Sequence, residues 1–193
     1  MNKASKFKTH RQVSAYSSPW SLRNRILILL WPYCWAVFCS WTPKPFNRWR
    51  LLWLQMFGAR IFGRPFVHSA TRIQMPWNLI LNHRASLGDG AWLYSLGEIE
   101  ICEDATIGPD AFLCTGTHQF NTPNRALQTA KICIGRSAFI GARAFVMPGV
   151  FVGEHAIVGA CSVVTKNVAS NSVVAGNPAT AINSKCSELD AAI

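Results

Sequence analysis

Residues 134 to 168 read IGRSAFIGARAFVMPGVFVGEHAIVGACSVVTKNV, and cut into sixes they place Ile134, Ile140, Val146, Val152, Val158 and Val164 in one column. Four places after each comes a small or short residue, Ala138, Ala144, Val150, Ala156, Ser162 and Val168, which forms a second column. A period of six matches neither the 3.6 of a helix nor the simple alternation of a strand. It fits a coil of flat faces with one hexapeptide per face, an aliphatic side chain pointing inward and a small residue where the chain turns a corner. The backbone hydrogen bonds then run between successive coils, so the strands are short and parallel.

The pattern extends toward the N-terminus through Leu113, Ile107 and Ile101, then Leu93 and Leu87, then Leu79, Ile73 and Val67. Two extra residues follow Leu79 and Leu93, and a gap of 21 separates Leu113 from Ile134. Gly follows the aliphatic residue at 88, 108, 135, 141, 153 and 159, and the corner column continues through Ala91, Gly97, Ala105, Ala111 and Thr117. The gap holds CTGTHQFNTPNRALQTAK, residues 114 to 131, whose Asn, Thr and Pro break the period. We expect a loop over 118–131 with His118 at its root. An excursion from a rigid solenoid is the natural wall of a pocket.

Half of the 193 residues are hydrophobic and 15% are charged, which excludes a disordered chain. The net charge of +10 is regional. Residues 1–88 hold thirteen Lys and Arg and no acid, whereas the rest holds six basic and nine acidic residues. Seven scattered cysteines without a Cys-x-x-Cys pair point to a reduced cytoplasmic protein that uses Cys as a small hydrophobe.

The first 60 residues lie outside the period. Residues 1–19 are polar and basic and are expected to form a mobile tail. The uncharged run Ile26 to Trp41 contains Pro32; sixteen helical residues reach about 24 Å, short of a bilayer core of about 30 Å. No Ala-x-Ala-like cleavage site follows it, which argues against a secretory signal. Over Asn47 to Phe57, Trp49, Leu52, Trp53, Met56 and Phe57 form an amphipathic stripe, with Asn47 expected as N-cap and Gly58 as stop. A Trp-rich helix beside arginines suits peripheral association with an anionic membrane, although packing on the following domain is the ordinary fate of such a helix. A basic face without a reading motif does not indicate nucleic acid. The expected organisation is therefore a tail over 1–19, a hydrophobic helical segment over 20–60, a solenoid over 61–182 and a C-terminal tail over 183–193.

The repeat resembles the all-β, left-handed parallel β-helix of the hexapeptide-repeat acyltransferases. Residues 136 to 182 are similar to their C-terminal part, including the ending Val174, Ala175, Gly176, Asn177, Pro178, Ala179. Within that family, the hydrophobic Trp- and Arg-rich N-terminal segment and Thr115-Gly116-Thr117-His118 resemble the colanic acid biosynthesis acetyltransferase type of sugar O-acetyltransferase. The resemblance implies an acetyl-CoA-dependent enzyme and a homotrimer with acetyl-CoA between subunits. The acceptor it implies is a sugar hydroxyl on an exopolysaccharide or lipid-linked glycan precursor at the cytoplasmic side of the membrane. It implies His118 as general base, Gly141, Ala142 and Ala160 as close-approach positions for the pantetheine arm, and Thr165 and Lys166 near the nucleotide. Imidazole suits the role, because an unperturbed pKa of about 6.5 leaves it neutral yet basic near pH 7.

The chain departs from that pattern in places. Relatives often carry His-Asp-Tyr where this chain reads His118, Gln119, Phe120, and Tyr94 and Ser95 replace acidic or amide residues near the sugar. Thr180 and Asn183 stand where Arg often meets phosphate, so that role is expected of Lys166, Lys185 or a neighbouring subunit. A zinc site of the hexapeptide-repeat carbonic anhydrase kind would require a second His five residues after the first, but position 123 is Pro, and His83 and His155 do not supply the set. We therefore expect no metal. The alternatives are acetyl transfer to serine, an amino sugar or a xenobiotic, or a non-catalytic membrane-bound scaffold.

Overall fold

The computed structural model describes residues 6–12 and 17–182; the expected C-terminal tail, with Lys185, lies outside them. From Arg60 onward the chain winds through three parallel sheets in strict rotation. The first face stacks Arg60–Ile61, Leu79–Leu81, Ile99–Ile101, Ile132–Ile134 and Phe151–Val152. The second stacks Phe66–Val67, Ser86–Leu87, Thr106–Ile107, Phe139–Ile140, Ile157–Val158 and Val173–Gly176. The third stacks Arg72–Ile73, Trp92–Tyr94, Phe112–Cys114, Phe145–Val146 and Val163–Val164.

Register follows the hexads. Ile107 pairs with Ile140, Ile140 with Val158, and Leu113 with Val146, so like positions stack directly. Each aliphatic from Val67 to Val164 is buried, and their side chains form one continuous core along the prism axis. Corners accept only small groups because the backbones of successive coils nearly touch there. A Cβ at Gly141 would lie 2.5 Å from the Ala160 nitrogen, a distance no side chain tolerates. An antiparallel strand, Ala179–Ala181, folds back on Val173–Gly176 and covers the C-terminal edge of the second face.

The excursion differs from the expected loop. Gly116–His118 and Leu127–Thr129 form an antiparallel hairpin, which leaves and returns at a single corner closed by the Ala130 N–H donating to Thr115 O at 2.9 Å. The corner residues are therefore Thr115 and Ala130, both buried, and not Thr117, which sits on the hairpin. The expected mobile tail also departs from its reading, because Lys8–Thr9 add a third strand antiparallel to Leu127–Thr129. His10 continues the contact through its backbone N–H to Leu127 O and its ring nitrogen to Thr129 Oγ1.

Two helices precede the solenoid. Helix α1, Leu22–Phe38, starts at Ser21, whose hydroxyl accepts the Asn24 N–H, and it carries Pro32 inside. Its Trp31 and Trp35 indoles donate to Ile73 O at 2.7 Å on the third face and to Ser69 O at 3.1 Å in the turn before it. Helix α2, Asn47–Met56, buries Arg50, Leu51 and Leu54; of the expected apolar stripe, Trp49, Leu52 and Met56 are exposed, while Trp53 and Phe57 are half-buried against Phe38 and Trp31. Arg50 takes the inner face because carbonyls satisfy its guanidinium, which donates to Val67 O, Thr42 O, Pro43 O and Lys44 O and to the Thr42 hydroxyl. Asn47 is the first helical residue and not the cap; its amide bridges to Pro65 O and the Val67 N–H. Gly58, at φ +88°, ends the helix in the left-handed conformation.

Candidate active site

Thr115 roots the excursion. Fully buried at the corner, its hydroxyl donates to Tyr94 O at 2.6 Å and accepts the Gly97 N–H at 2.9 Å, tying two coils together. Gly116 follows, with the tip of the Leu96 side chain close over it. Thr117 and His118 then run out along the hairpin, opposite Gln128 and Leu127. His118 is held through Nδ1, 2.8 Å from the Arg125 carbonyl oxygen. A carbonyl only accepts, so this contact fixes the tautomer with the proton on Nδ1 and leaves Nε2 as a lone-pair base. The turn that presents Arg125 is tight: its N–H donates to Thr122 O at 3.0 Å and its φ is +42°. A backbone carbonyl thus holds the ring in a chain that carries Gln119 and Phe120 after His118.

His118 borders a cavity of about 480 Å³. One wall is the solenoid edge, with Gln74, Met75, Tyr94 and Leu96; the other is the N-terminal segment, with Gln12, Trp20, Arg25 and Leu29. Tyr94 is half-buried, and burial together with neighbouring Cys114 pushes its phenol up, so at neutral pH it is a neutral hydroxyl able to donate. Gln12 stitches this wall to the hairpin: its side-chain oxygen accepts the Leu127 N–H at 2.7 Å and its amide donates to Ser17 O at 2.9 Å. Sequence reasoning missed Gln12, Trp20 and Arg25, since nothing local links them to a hairpin a hundred residues away.

The expected donor positions separate into two groups. Gly141, Ala142 and Ala160 lie on the corner between the second and third faces, where the Cys161 N–H donates to Ala142 O at 2.9 Å and stacks one coil on the next. Gly141 is buried, Ala142 half-buried and Ala160 exposed, so these three positions offer a strip with no side chain longer than a methyl, beside the exposed Arg143 and Cys161. Thr165 and Lys166 stand on the corner between the third and first faces, the edge from which the hairpin also leaves. They border a cavity of about 430 Å³ with Asn167, Pro178 and Thr180. Neither group lines the His118 cavity. Among the described residues no group of three or more His, Cys, Asp and Glu could hold a metal ion.

Comparison with solved structures identifies the fold. The hexapeptide-repeat acetyltransferase VCA0836 of Vibrio cholerae, solved with acetyl coenzyme A, superposes with a TM-score of 0.77 at 17% identity over 86% of this chain and 91% of its own. A maltose O-acetyltransferase of Clostridium difficile gives 0.69 at 22% identity over 84% and 90%. Their architecture is the left-handed parallel β-helix that the family resemblance implied, and the hexads account for its parallel coils. Among curated sequences, the Escherichia coli protein WcaF, by name a colanic acid biosynthesis acetyltransferase, is 35% identical over 177 residues, 91% of this chain and 97% of its own. No family profile matches the chain. The protein belongs to the colanic acid biosynthesis acetyltransferase type of the hexapeptide-repeat acetyltransferases.

Proposed function

We propose that the protein transfers the acetyl group of acetyl-CoA to a hydroxyl of a sugar, in an exopolysaccharide or lipid-linked glycan precursor at the cytoplasmic side of the membrane. The observation that carries this reading is the His118 imidazole, locked by the Arg125 carbonyl with Nε2 free beside a 480 Å³ cavity. Nε2 takes the proton of the acceptor hydroxyl as its oxygen bonds to the thioester carbonyl carbon. The tetrahedral intermediate collapses by breaking the carbon–sulfur bond, and the imidazolium returns its proton to the departing thiolate. No acyl-enzyme forms. Tyr94 stands in the same cavity as a neutral donor suited to a sugar oxygen.

Acetyl-CoA fits the residues present. The smooth strip at Gly141, Ala142 and Ala160 suits an extended pantetheine arm, and the exposed Lys166 ammonium suits a phosphate. The two donor groups occupy different edges of the prism, and neither borders the His118 cavity. An arm lying between adjacent subunits would join one protomer's strip to its neighbour's base, which supports a homotrimer. The test is calorimetric binding of acetyl-CoA together with thiol release across a panel of sugars. His118→Ala is expected to keep donor binding and lose about 10²- to 10⁴-fold in sugar-dependent thiol release. Absence of donor binding in both proteins would overturn the reading in favour of a scaffold.

A further inference from the structure

We propose that the outer face of α1 seats the protein on an anionic lipid bilayer, with the mouth of the His118 cavity at the membrane surface. Leu22, Ile26, Leu29, Leu30, Tyr33 and Val37 follow the spacing of a single helical stripe. All are exposed, from 49% at Ile26 to 74% at Tyr33. The opposite face of the helix is already occupied, through the Trp31 and Trp35 indoles bonded to the solenoid. From Ile26 onward α1 is uncharged all the way round; such a helix belongs in a protein core or in lipid, and half of this one has neither around it. The bare surface continues past the end of α1 at Trp41, 70% exposed, and Trp49, 41% exposed. Tryptophan and tyrosine, apolar in body and polar at one end, are the residues that settle at headgroup depth.

Charge identifies the occupant. Arg23 and Arg25 are exposed on the first turns of α1, and Lys44 and Arg48 are exposed beyond its end. None of the four makes an ion pair among the described residues, and no acidic residue occurs before Asp89. A second copy laid face to face on this surface about a two-fold axis would set the same cations against one another without a compensating carboxylate, at a cost in free energy. Anionic headgroups match both the apolar stripe and the flanking cations. No helix among the described residues is long and apolar enough to cross a membrane, so α1 lies along the interface.

The same helix forms the wall of the site. Arg25 and Leu29 border the cavity that holds His118, and Leu29 is also part of the stripe. Seating the stripe therefore turns the cavity mouth toward the bilayer, within reach of a sugar carried on a lipid phosphate. The docking itself stands apart from the transferase reading.

The test is co-sedimentation of the full-length protein with vesicles of phosphatidylcholine alone and of phosphatidylcholine mixed with phosphatidylglycerol. Its comparison is the triple variant Ile26→Ser, Leu30→Ser, Tyr33→Ser, whose positions lie outside the cavity. The native protein should sediment with the mixed vesicles, and less so as salt is raised. The variant should partition about a hundredfold more weakly, with the same unfolding temperature and the same mass by light scattering. Three results would overturn the proposal: no binding by the native protein, equal binding by the variant, or a fall in the variant's mass with vesicle binding unchanged, which would assign the face to a second copy. Loss of thiol release in both proteins with vesicle binding intact would remove the transferase reading alone.

Discussion

The coils and the hairpin that interrupts them are built on opposite principles. Between Ile134 and Val168 each residue answers to its place in the hexad: the inward column is fully buried, the corners are small, and each coil leans on its two neighbours. Between Gly116 and Thr129 nothing repeats. His118 is placed by a carbonyl seven residues away and by a strand from the far N-terminus. Repetition supplies stability, and the departure from it builds the candidate site; mutations should therefore sort by region, with stability moving in one and activity in the other.

The sharpest separation is expected at His118→Ala, which should remove most thiol release yet leave the unfolding temperature unchanged, because an exposed imidazole holds no part of the core. The converse is Ile140→Ala. Deleting a buried aliphatic leaves a cavity and should cost about 2–5 kcal/mol in denaturant unfolding. The damage should spread to acetyl-CoA binding, since Gly141 and Ala142 follow directly. Thr117→Ala on the hairpin should cost almost nothing by the same measurement. Equal losses at both positions would erase the distinction between the regions.

A smaller effect sharpens the contrast within the site itself. Gln12→Ala removes the acceptor for the Leu127 N–H and the donor to Ser17, and so loosens the strap that holds the hairpin. We expect kcat to fall about tenfold while the KM for acetyl-CoA and the unfolding temperature hold, the signature of a misplaced base and not of an unfolded one. An unchanged kcat would show that the hairpin keeps its geometry unaided.

The inner column from Val67 to Val164 was legible in the sequence because packing along a solenoid is local and periodic. The reading failed where distant or polar partners decide. Thr117 occupied the right register for a corner, but the hairpin starts at Thr115, and only the closing bond to Ala130 reveals it. The stripe on α2 was real, yet burial went to Arg50, because five acceptors waited at Val67, Thr42, Pro43 and Lys44 and hydropathy takes no account of carbonyls. Lys8–Thr9 pair with partners about 120 positions away, beyond any local pattern. His118 was singled out by the break in the period and given a role by resemblance, but the group that holds its ring is a main-chain oxygen, which no residue name encodes.

The last contrast concerns the point where hairpin and coil meet. Lys131 leaves the hairpin and enters the first face, where its ammonium lies 2.8 Å from Glu98 and 2.6 Å from Glu100, and Arg60 joins the same Glu98. The hydrogen bond from Lys131 is the main cause holding Glu98 below its ordinary value, and Lys131 is raised in turn by Glu100 and Glu98. For a carboxylate lowered on folding, the stabilisation is complete above its unfolded value near 4.5 and fades as pH falls through the folded value. Water reaches these groups, so the contribution is about 1 kcal/mol or less. Glu98→Gln should therefore flatten the acid limb of a stability–pH curve below about pH 4.5 and leave the curve above pH 6 displaced by no more than that amount. If the clamp serves the hairpin and not the coil, the same acid titration should raise hydrogen exchange at Leu127 and Thr129 before it does so at Ile140. Simultaneous loss of protection at all three would make the junction part of the solenoid's own cooperative unit.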